Sequence, residues 1–266
     1  MPLKRSEAFV LDTRRLREAD RIVTFFTEDE GKLKGVAASA AKSRRRFGGS
    51  LERLSRVRVT YFEKEGADLA RIDSCDLLDE SFTLHQDLRL AATLAYIAEI
   101  ADTFTHERES DRRYFRLLGA TMEGLRRLGA GGDPGTITRY FEVWTLKLHG
   151  LLPDLERCAA CERDLSSTGA VIAAGGMASA LCPACGRGSR WQAGEPGGRR
   201  VRLSRAAMEA LGRFRKLAPA DLAGIAPPRA ASDEIEEFAV ALMTSFVGHP
   251  FRSYRFLREC SVEEVP

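Results

Sequence analysis

The sequence predicts a multidomain α+β chain: a small five-stranded barrel at the N-terminus, then a helical region carrying a four-cysteine insert. Three observations carry this. Residues 6–80 alternate apolar and polar with a period of two, broken by turn signals. From about residue 84 the apolar period becomes helical. Two C-x-x-C pairs then fall in a stretch, residues 153–203, with few large apolar groups.

In the first segment the expected strands are Ala8–Asp12, Arg21–Thr27, Lys32–Ala38, Leu54–Phe62 and Leu69–Asp76. Asp29-Glu30-Gly31 reads as a hairpin turn between the second and third. Five short strands with a loose segment after the third fit a partly open barrel. An OB-fold has this strand number and length, and other small five-stranded barrels fit the pattern nearly as well. In the helical segment, Leu90, Leu94, Ile97, Ala101 and Phe104 mark one apolar face. Phe115, Leu118, Met122 and Leu125 mark a second; Ile137, Phe141, Trp144 and Leu148 mark a third, stopped by Gly150 and Pro153. A Gly-rich linker, 129–135, separates the last two. Ser204 is expected to cap a helix running to Leu217. Ser232 is expected to cap another, with Asp233, Glu234, Glu236 and Glu237 in its first turns, where the helix dipole favours acids. A last helix is expected over Phe251–Glu259. The expected domains are 1–80 for the barrel, 81–152 with 204–266 for the helices, and 153–203 for the insert.

The chain has 266 residues and a net charge of only +3, so the distribution of charge has to carry any inference about partners. Of its 41 basic residues 34 are Arg, a bias that makes a lone Arg uninformative. The most apolar stretch, Leu90–Ala98, is far shorter than the ~20 residues that span a bilayer. The N-terminus lacks the apolar core of a secretory signal, and the expectation is a cytoplasmic protein.

Cys158, Cys161, Cys182 and Cys185 form two C-x-x-C knuckles around a 20-residue spacer, a pattern that matches a structural zinc site. Four thiolates fill a tetrahedral shell and leave no position for water, so one such ion supplies folding energy rather than catalysis. The competing reading is redox-active or merely reduced thiols, but neither pair sits beside a βαβ pattern. Cys75 and Cys260 read as small core hydrophobes.

From Lys32 to Arg58 there are nine cations and one acid, Glu52, a net of +8 over 27 residues. Lys32 and Lys34 share a strand face, as do Arg56 and Arg58. Between them Lys42, Arg44, Arg45 and Arg46 form a basic loop ending in Phe47. A cationic barrel face beside a basic loop is how such barrels track a phosphate backbone, and these eight cations are the expected nucleic-acid contacts. For the strand cations the alternative is a solvated sheet face. Phe47 and Phe62 are placed either to stack bases or to pack in the core. A second basic cluster, Arg187, Arg190, Arg199, Arg200, Arg202 and Arg205, reads equally as a further nucleic-acid surface or a solvated linker.

A catalytic constellation is missing. There is no G-x-x-x-x-G-K-[ST], H-E-x-x-H or G-x-S-x-G, and His85, His106, His149 and His249 all lack the Glu of an H-x-E motif. The expectation is a protein that is not an enzyme, with each His capping or packing.

The order of parts, with three strings, resembles the bacterial recombination mediator RecO family of DNA repair proteins. The strings are Leu146 to Cys161 (LKLHGLLPDLERCAAC), Gly35 to Leu51 (GVAASAAKSRRRFGGSL) and His249 to Leu257 (HPFRSYRFL). The second departs from the family at Ala38-Ser39-Ala40, where a Gly-rich, more basic turn is the pattern. The resemblance implies an N-terminal OB-fold, a helical bundle and a zinc module. It further implies binding of single- and double-stranded DNA at the nucleoid and ATP-independent annealing of complementary strands. The implied partners are RecR and single-stranded-DNA-binding protein, so that RecA loads at gaps. The sequence also admits an RNA-binding factor, or a scaffold that docks an acidic protein tail on the same barrel.

Overall fold

The alternating N-terminal segment folds into five strands, β1 (Leu3–Arg15), β2 (Arg21–Thr27), β3 (Gly31–Ala37), β4 (Arg56–Phe62) and β5 (Ala70–Asp79). The computed structural model describes residues 3–63, 66–166, 168–174, 178–188, 199–222 and 226–262. Strand order β1-β2-β3-β5-β4 returns to β1, so the barrel is closed rather than partly open. β1 is longer than its apolar core, Ala8–Asp12, because it serves two neighbours. Leu3–Phe9 pairs with β4 and Ala8–Arg15 with β2, with a bulge between Val10 and Asp12. Ala8, Val10, Val23, Phe25, Val57, Val59, Tyr61 and Ile72 fill the interior. Phe9 and Phe26 point the other way, and their rings lie 5.0 and 5.7 Å from that of Phe115, so this outer face is buried too.

Contacts gather the chain into two compact units. One holds Met1–Met122, Gly129–Gly131 and Phe251–Pro266; the other holds Glu123–Leu128 and Gly132–Pro250. The first joins the barrel to α2 (Leu88–Phe104), the start of α3 (Arg112–Leu128) and α8 (Arg252–Val262). The helical segment of the sequence is thus divided between the units, α2 and α8 going with the barrel. In that unit Asp87 caps α2: one carboxylate oxygen accepts Arg89 N at 2.9 Å and Leu90 N at 3.0 Å, and the other accepts Gly131 N at 3.2 Å. Glu99 of α2 accepts the first N–H groups of α8, from Arg252 at 2.9 Å and Ser253 at 2.7 Å.

The second unit holds the end of α3, then α4 (Gly135–Leu148), a sheet of β6 (Ala170–Ala174), β7 (Ser179–Leu181) and β8 (Arg199–Leu203), and the helices α5 (Pro183–Gly188), α6 (Arg205–Phe214) and α7 (Arg229–Val247). The sheet order is β7-β6-β8. Ser204 caps α6 as expected, accepting Ala207 N at 3.3 Å, but the helix stops at Phe214 instead of Leu217. Ser232 is not a cap. The cap position is Pro228, and α7 begins four residues earlier than a cap at Ser232 would set it, because Ala230 and Ala231 favour the helix and Pro228 has no N–H to leave unpaired at its start. Glu236 likewise serves more than the helix dipole: it pairs at 2.6 Å with Arg139 of α4, which also pairs at 2.8 Å with the fully buried Glu142.

Asp87→Ala removes the α2 cap and is expected to cost about 1 kcal/mol in urea denaturation near neutral pH. The N–H groups of Leu90 and Gly131 hold Asp87 below the ordinary carboxylate value, with burial opposing and Arg89 N–H adding. A depressed pKa contributes stability that is complete above the unfolded value of about 3.9 and lost as pH falls through the folded one. The gap between wild type and variant should therefore narrow toward about pH 3.

Candidate nucleic-acid interface and metal centre

The β3–β4 connection leaves Ala37, turns at Ser39 and forms the short helix α1 (Arg44–Phe47). Ser39 holds φ +58, the left-handed region that Gly adopts without cost, so the turn is made here by a serine. Asp20 compensates by accepting Ser39 N at 2.8 Å, and Ser39 O accepts the N–H groups of Lys42 and Ser43, each at 3.0 Å.

Phe47 is not a stacking platform. It is 3% exposed and belongs to the barrel core, against which Ala40 and Leu51 also pack. A flat aromatic following three arginines serves here as the plug that anchors the loop. Phe62 is half-buried, with the Arg71 guanidinium 4.7 Å above its ring.

The eight cations of the sequence fall into two groups. Lys42 and Arg45 are exposed, and among the described residues their side chains make no hydrogen bond or ion pair. Arg46 braces the loop, donating to Ala38 O at 2.6 Å while its guanidinium lies 5.0 Å from the Phe47 ring centre. Arg44 lies in α1, with its side chain outside the described ones. The strand cations, in contrast, are partnered. Lys32, its side chain 14% exposed, pairs with Asp102 at 2.9 Å. Lys34 pairs with Glu107 at 2.8 Å, Arg56 with Glu7 at 2.6 Å and Asp79 at 3.6 Å, and Arg58 with Glu7 at 3.3 Å. The linear count of +8 therefore overstates the field on the strand face, because folding brings in carboxylates from distant parts of the chain. Glu7 was foreseeable, since an OB-type order places β1 beside β4, where Glu7 lies opposite Arg58. Asp102 and Glu107 carry no such signal, as they come from a helix end and a loop.

In the insert, all four sulfurs of Cys158, Cys161, Cys182 and Cys185 lie within 4.8 Å of one another. Cys161 Sγ and Cys182 Sγ are 3.8 Å apart, which is about the edge of a tetrahedron with ~2.3 Å metal–sulfur bonds and far beyond the ~2.05 Å of a disulfide. The first knuckle is tied to the sheet, Ala159 N donating to Ala180 O at 2.9 Å, and the second opens α5 directly after β7. Cys182 N donates to Cys158 Sγ at 3.2 Å and Cys185 N to Cys182 Sγ at 3.5 Å. Burial opposes ionisation of Cys158, but the N–H groups of Cys182, Ala160 and Cys161 outweigh it and bring the thiol to about 6. Hydrogen bonds to the sulfurs of Cys161 and Cys182 push Cys185 up to about 12. Thiols this close do not all ionise unless a cation balances them, and the four residues fit one metal ion.

Of the second basic cluster, Arg190 lies outside the described residues. Arg199 pairs with Glu237 at 2.8 Å and Arg205 with Glu209 at 2.9 Å. Arg187, Arg200 and Arg202 line a cleft of about 620 Å³ beside Glu234 and Glu237. His85 Nε2 lies 3.1 Å from Arg53 O, and His149 Nδ1 lies 2.9 Å from Thr145 O at the end of α4. Among the described residues no helix is long and apolar enough to cross a membrane.

Residues 1–81 match the family model "Recombination protein O N terminal", and residues 85–255 match "Recombination protein O C terminal". The chain is 47% identical over 163 residues to the DNA repair protein RecO of Koribacter versatilis, covering 61% of this chain and 65% of that protein. It is 29% identical over 263 residues to the namesake from Moorella thermoacetica (99% and 93% of the two chains) and 32% identical over 244 residues to that of Anaeromyxobacter sp. strain K (91% of each).

Two outcomes test these sites. Phe47→Ala is expected to cost about 3–5 kcal/mol of stability, the scale for a buried aromatic, whereas a solvent-facing stacking residue costs almost nothing. Elemental analysis is expected to give one metal ion per chain, falling toward zero in Cys182→Ala.

Proposed function

Because the chain belongs to the RecO family of DNA repair and recombination proteins, we propose that it binds single- and double-stranded DNA and anneals complementary strands without ATP. In this reading it acts with RecR and single-stranded-DNA-binding protein to help load RecA at gaps, by binding alone and not as an enzyme. The observation that carries it is the loop of Lys42 and Arg45: exposed cations without internal partners on a backbone pinned by Phe47. A pinned loop loses little conformational freedom when a phosphate arrives, and unpartnered cations have no carboxylate to shed. Lys42 and Arg45 make the first contacts, and Lys34, Arg56 and Arg58 join as phosphates replace their carboxylates; Arg44 and Arg46 are expected beside them from the sequence alone. Lys32, largely buried on Asp102, contributes least.

The barrel, 1–80, is the DNA-binding domain in this assignment, 81–152 with 204–266 the helical region and 153–203 the insert. The metal of the 153–203 insert is zinc, since four thiolates with tetrahedral spacing suit it, and its role is structural. The working compartment is the cytoplasm, at the nucleoid.

Complementary labelled oligonucleotides, pre-coated with single-stranded-DNA-binding protein, should form duplex faster with the protein present, without ATP, and the acceleration should vanish at high salt. Lys42→Ala with Arg45→Ala should lower the steepness of the log–log salt plot for single strands by about 1.4, two phosphate contacts at about 0.7 each. Binding with an unchanged slope would remove these residues from the interface. Binding without faster pairing would leave the annealing step unsupported.

A further inference from the structure

The segment from Thr105 to Asp111, which joins α2 to α3, lies across β3 with unusual intimacy. β3 pairs with β5 only through Gly35, Val36 and Ala37, so its first half has an unpaired edge on that side. The segment covers that edge. Lys32 N donates to His106 O at 2.9 Å, and Glu107 bridges to both Gly31 and Lys32. The fit excludes a side chain beneath it: a Cβ on Gly31 would lie 2.1 Å from Glu109 O and 2.7 Å from His106 O. Further ties hold its middle, its C-terminal end and the start of α3: Arg108 to Glu63 at 3.4 Å, Ser110 Oγ to Glu28 O at 2.8 Å, and Arg112 to Asp29 at 3.1 Å. The backbone of this strap is therefore anchored, and it delivers one carboxylate, Glu107, to Lys34.

That pair differs from its neighbour. The Lys34 and Glu107 side chains are 42% and 57% exposed, against 14% for Lys32. An exposed pair of this kind is weak and is screened by salt, so a phosphate can displace the carboxylate while the strap stays in place. Lys34 is also the strand cation nearest in sequence to the basic loop. We infer that Glu107 is a built-in competitor for phosphate at Lys34, held there by the Thr105–Asp111 strap, and that it sets how tightly the barrel takes a single strand. The inference rests on the DNA-binding reading above and adds to it a residue that weakens binding.

The test is fluorescence anisotropy of a labelled oligothymidylate strand titrated with the full chain across a range of salt. Glu107→Gln should bind several-fold more tightly at low salt, with a log–log slope steeper by up to about 0.7, the one single-strand contact that the carboxylate otherwise contests. Glu109→Gln makes the same charge change on the same strap, at a position facing solvent, and should leave both nearly unchanged. Adding Lys34→Gln to Glu107→Gln should abolish the gain, giving the affinity of Lys34→Gln alone. Equal gains from Glu107→Gln and Glu109→Gln would reduce the effect to bulk charge and overturn the inference, as would Glu107→Gln binding like wild type. If Arg45→Ala weakens binding in the same assay while Glu107→Gln does not strengthen it, the DNA-binding reading stands and only the competitor falls. If the wild-type chain does not bind the strand even at low salt, both fall.

Discussion

The barrel closes through three residue pairs, Gly35–Ala70, Val36–Arg71 and Ala37–Ile72, and much of the N-terminal unit follows from how short that seam is. The two strands approach so closely that a Cβ on Gly35 would fall 2.4 Å from Ile72 Cδ1 and 2.9 Å from Ala70 O. Only glycine permits the contact. A seam this brief leaves two openings, and each is covered by a different device. The β3–β4 connection turns back and inserts Phe47 into the interior. The unpaired first half of β3 takes the strap that follows α2. Both devices carry charge to the surface, the first bringing cations and the second a carboxylate, so the electrostatics of the barrel descend from its closure.

Pairing explains why charge counted along the sequence and charge presented in space diverge. A strand exposes alternate residues, and the barrel sets those of β4 between β1 and β5. Glu7, Asp76 and Asp79 thereby become neighbours of Arg56 and Arg58. Each partnered cation offers a phosphate an exchange of one anion for another, which releases less free energy than filling an empty position. A loop cation offers the full interaction. The loop and the strand cations are thus unequal, although the sequence presents them as one basic run, and β5 lies between the strands that carry the second group.

How far the sequence reveals the structure depends on the range of the interaction. β2 was legible to the residue and β3 nearly so, because alternation and the hairpin turn are local signals. The four-cysteine cluster was legible for the same reason: the spacing of the two knuckles is written in the chain, and the sulfurs converge within 4.8 Å of one another. Phe47 was not settled, since an aromatic after a basic run has the same local pattern whether it plugs a barrel or faces a base. The start of α7 was misplaced because a serine followed by acids is a strong local cap signal, while the preceding alanines extend a helix just as locally. Arg139, Glu142 and Glu236 were invisible as a group because the pairing joins two helices nearly one hundred residues apart in the chain.

That buried trio bears on the four-cysteine insert. The sheet β7-β6-β8 offers aliphatic groups and no aromatic ring, among them Ala170, Ile172, Ala180, Val201 and Leu203, and it leans on α7 for cover. α7 is in turn fixed to α4 by Arg139, whose charge is almost wholly desolvated and balanced by two carboxylates. Removing one member of such a group leaves an uncompensated buried charge, a far larger penalty than breaking an exposed pair. The insert is therefore held from two directions, by four thiols converging on one point and by a helix whose position an internal ion group fixes. Neither alone supplies what a conventional apolar core would, and the scarcity of large side chains between residues 153 and 203 is tolerable because both are present.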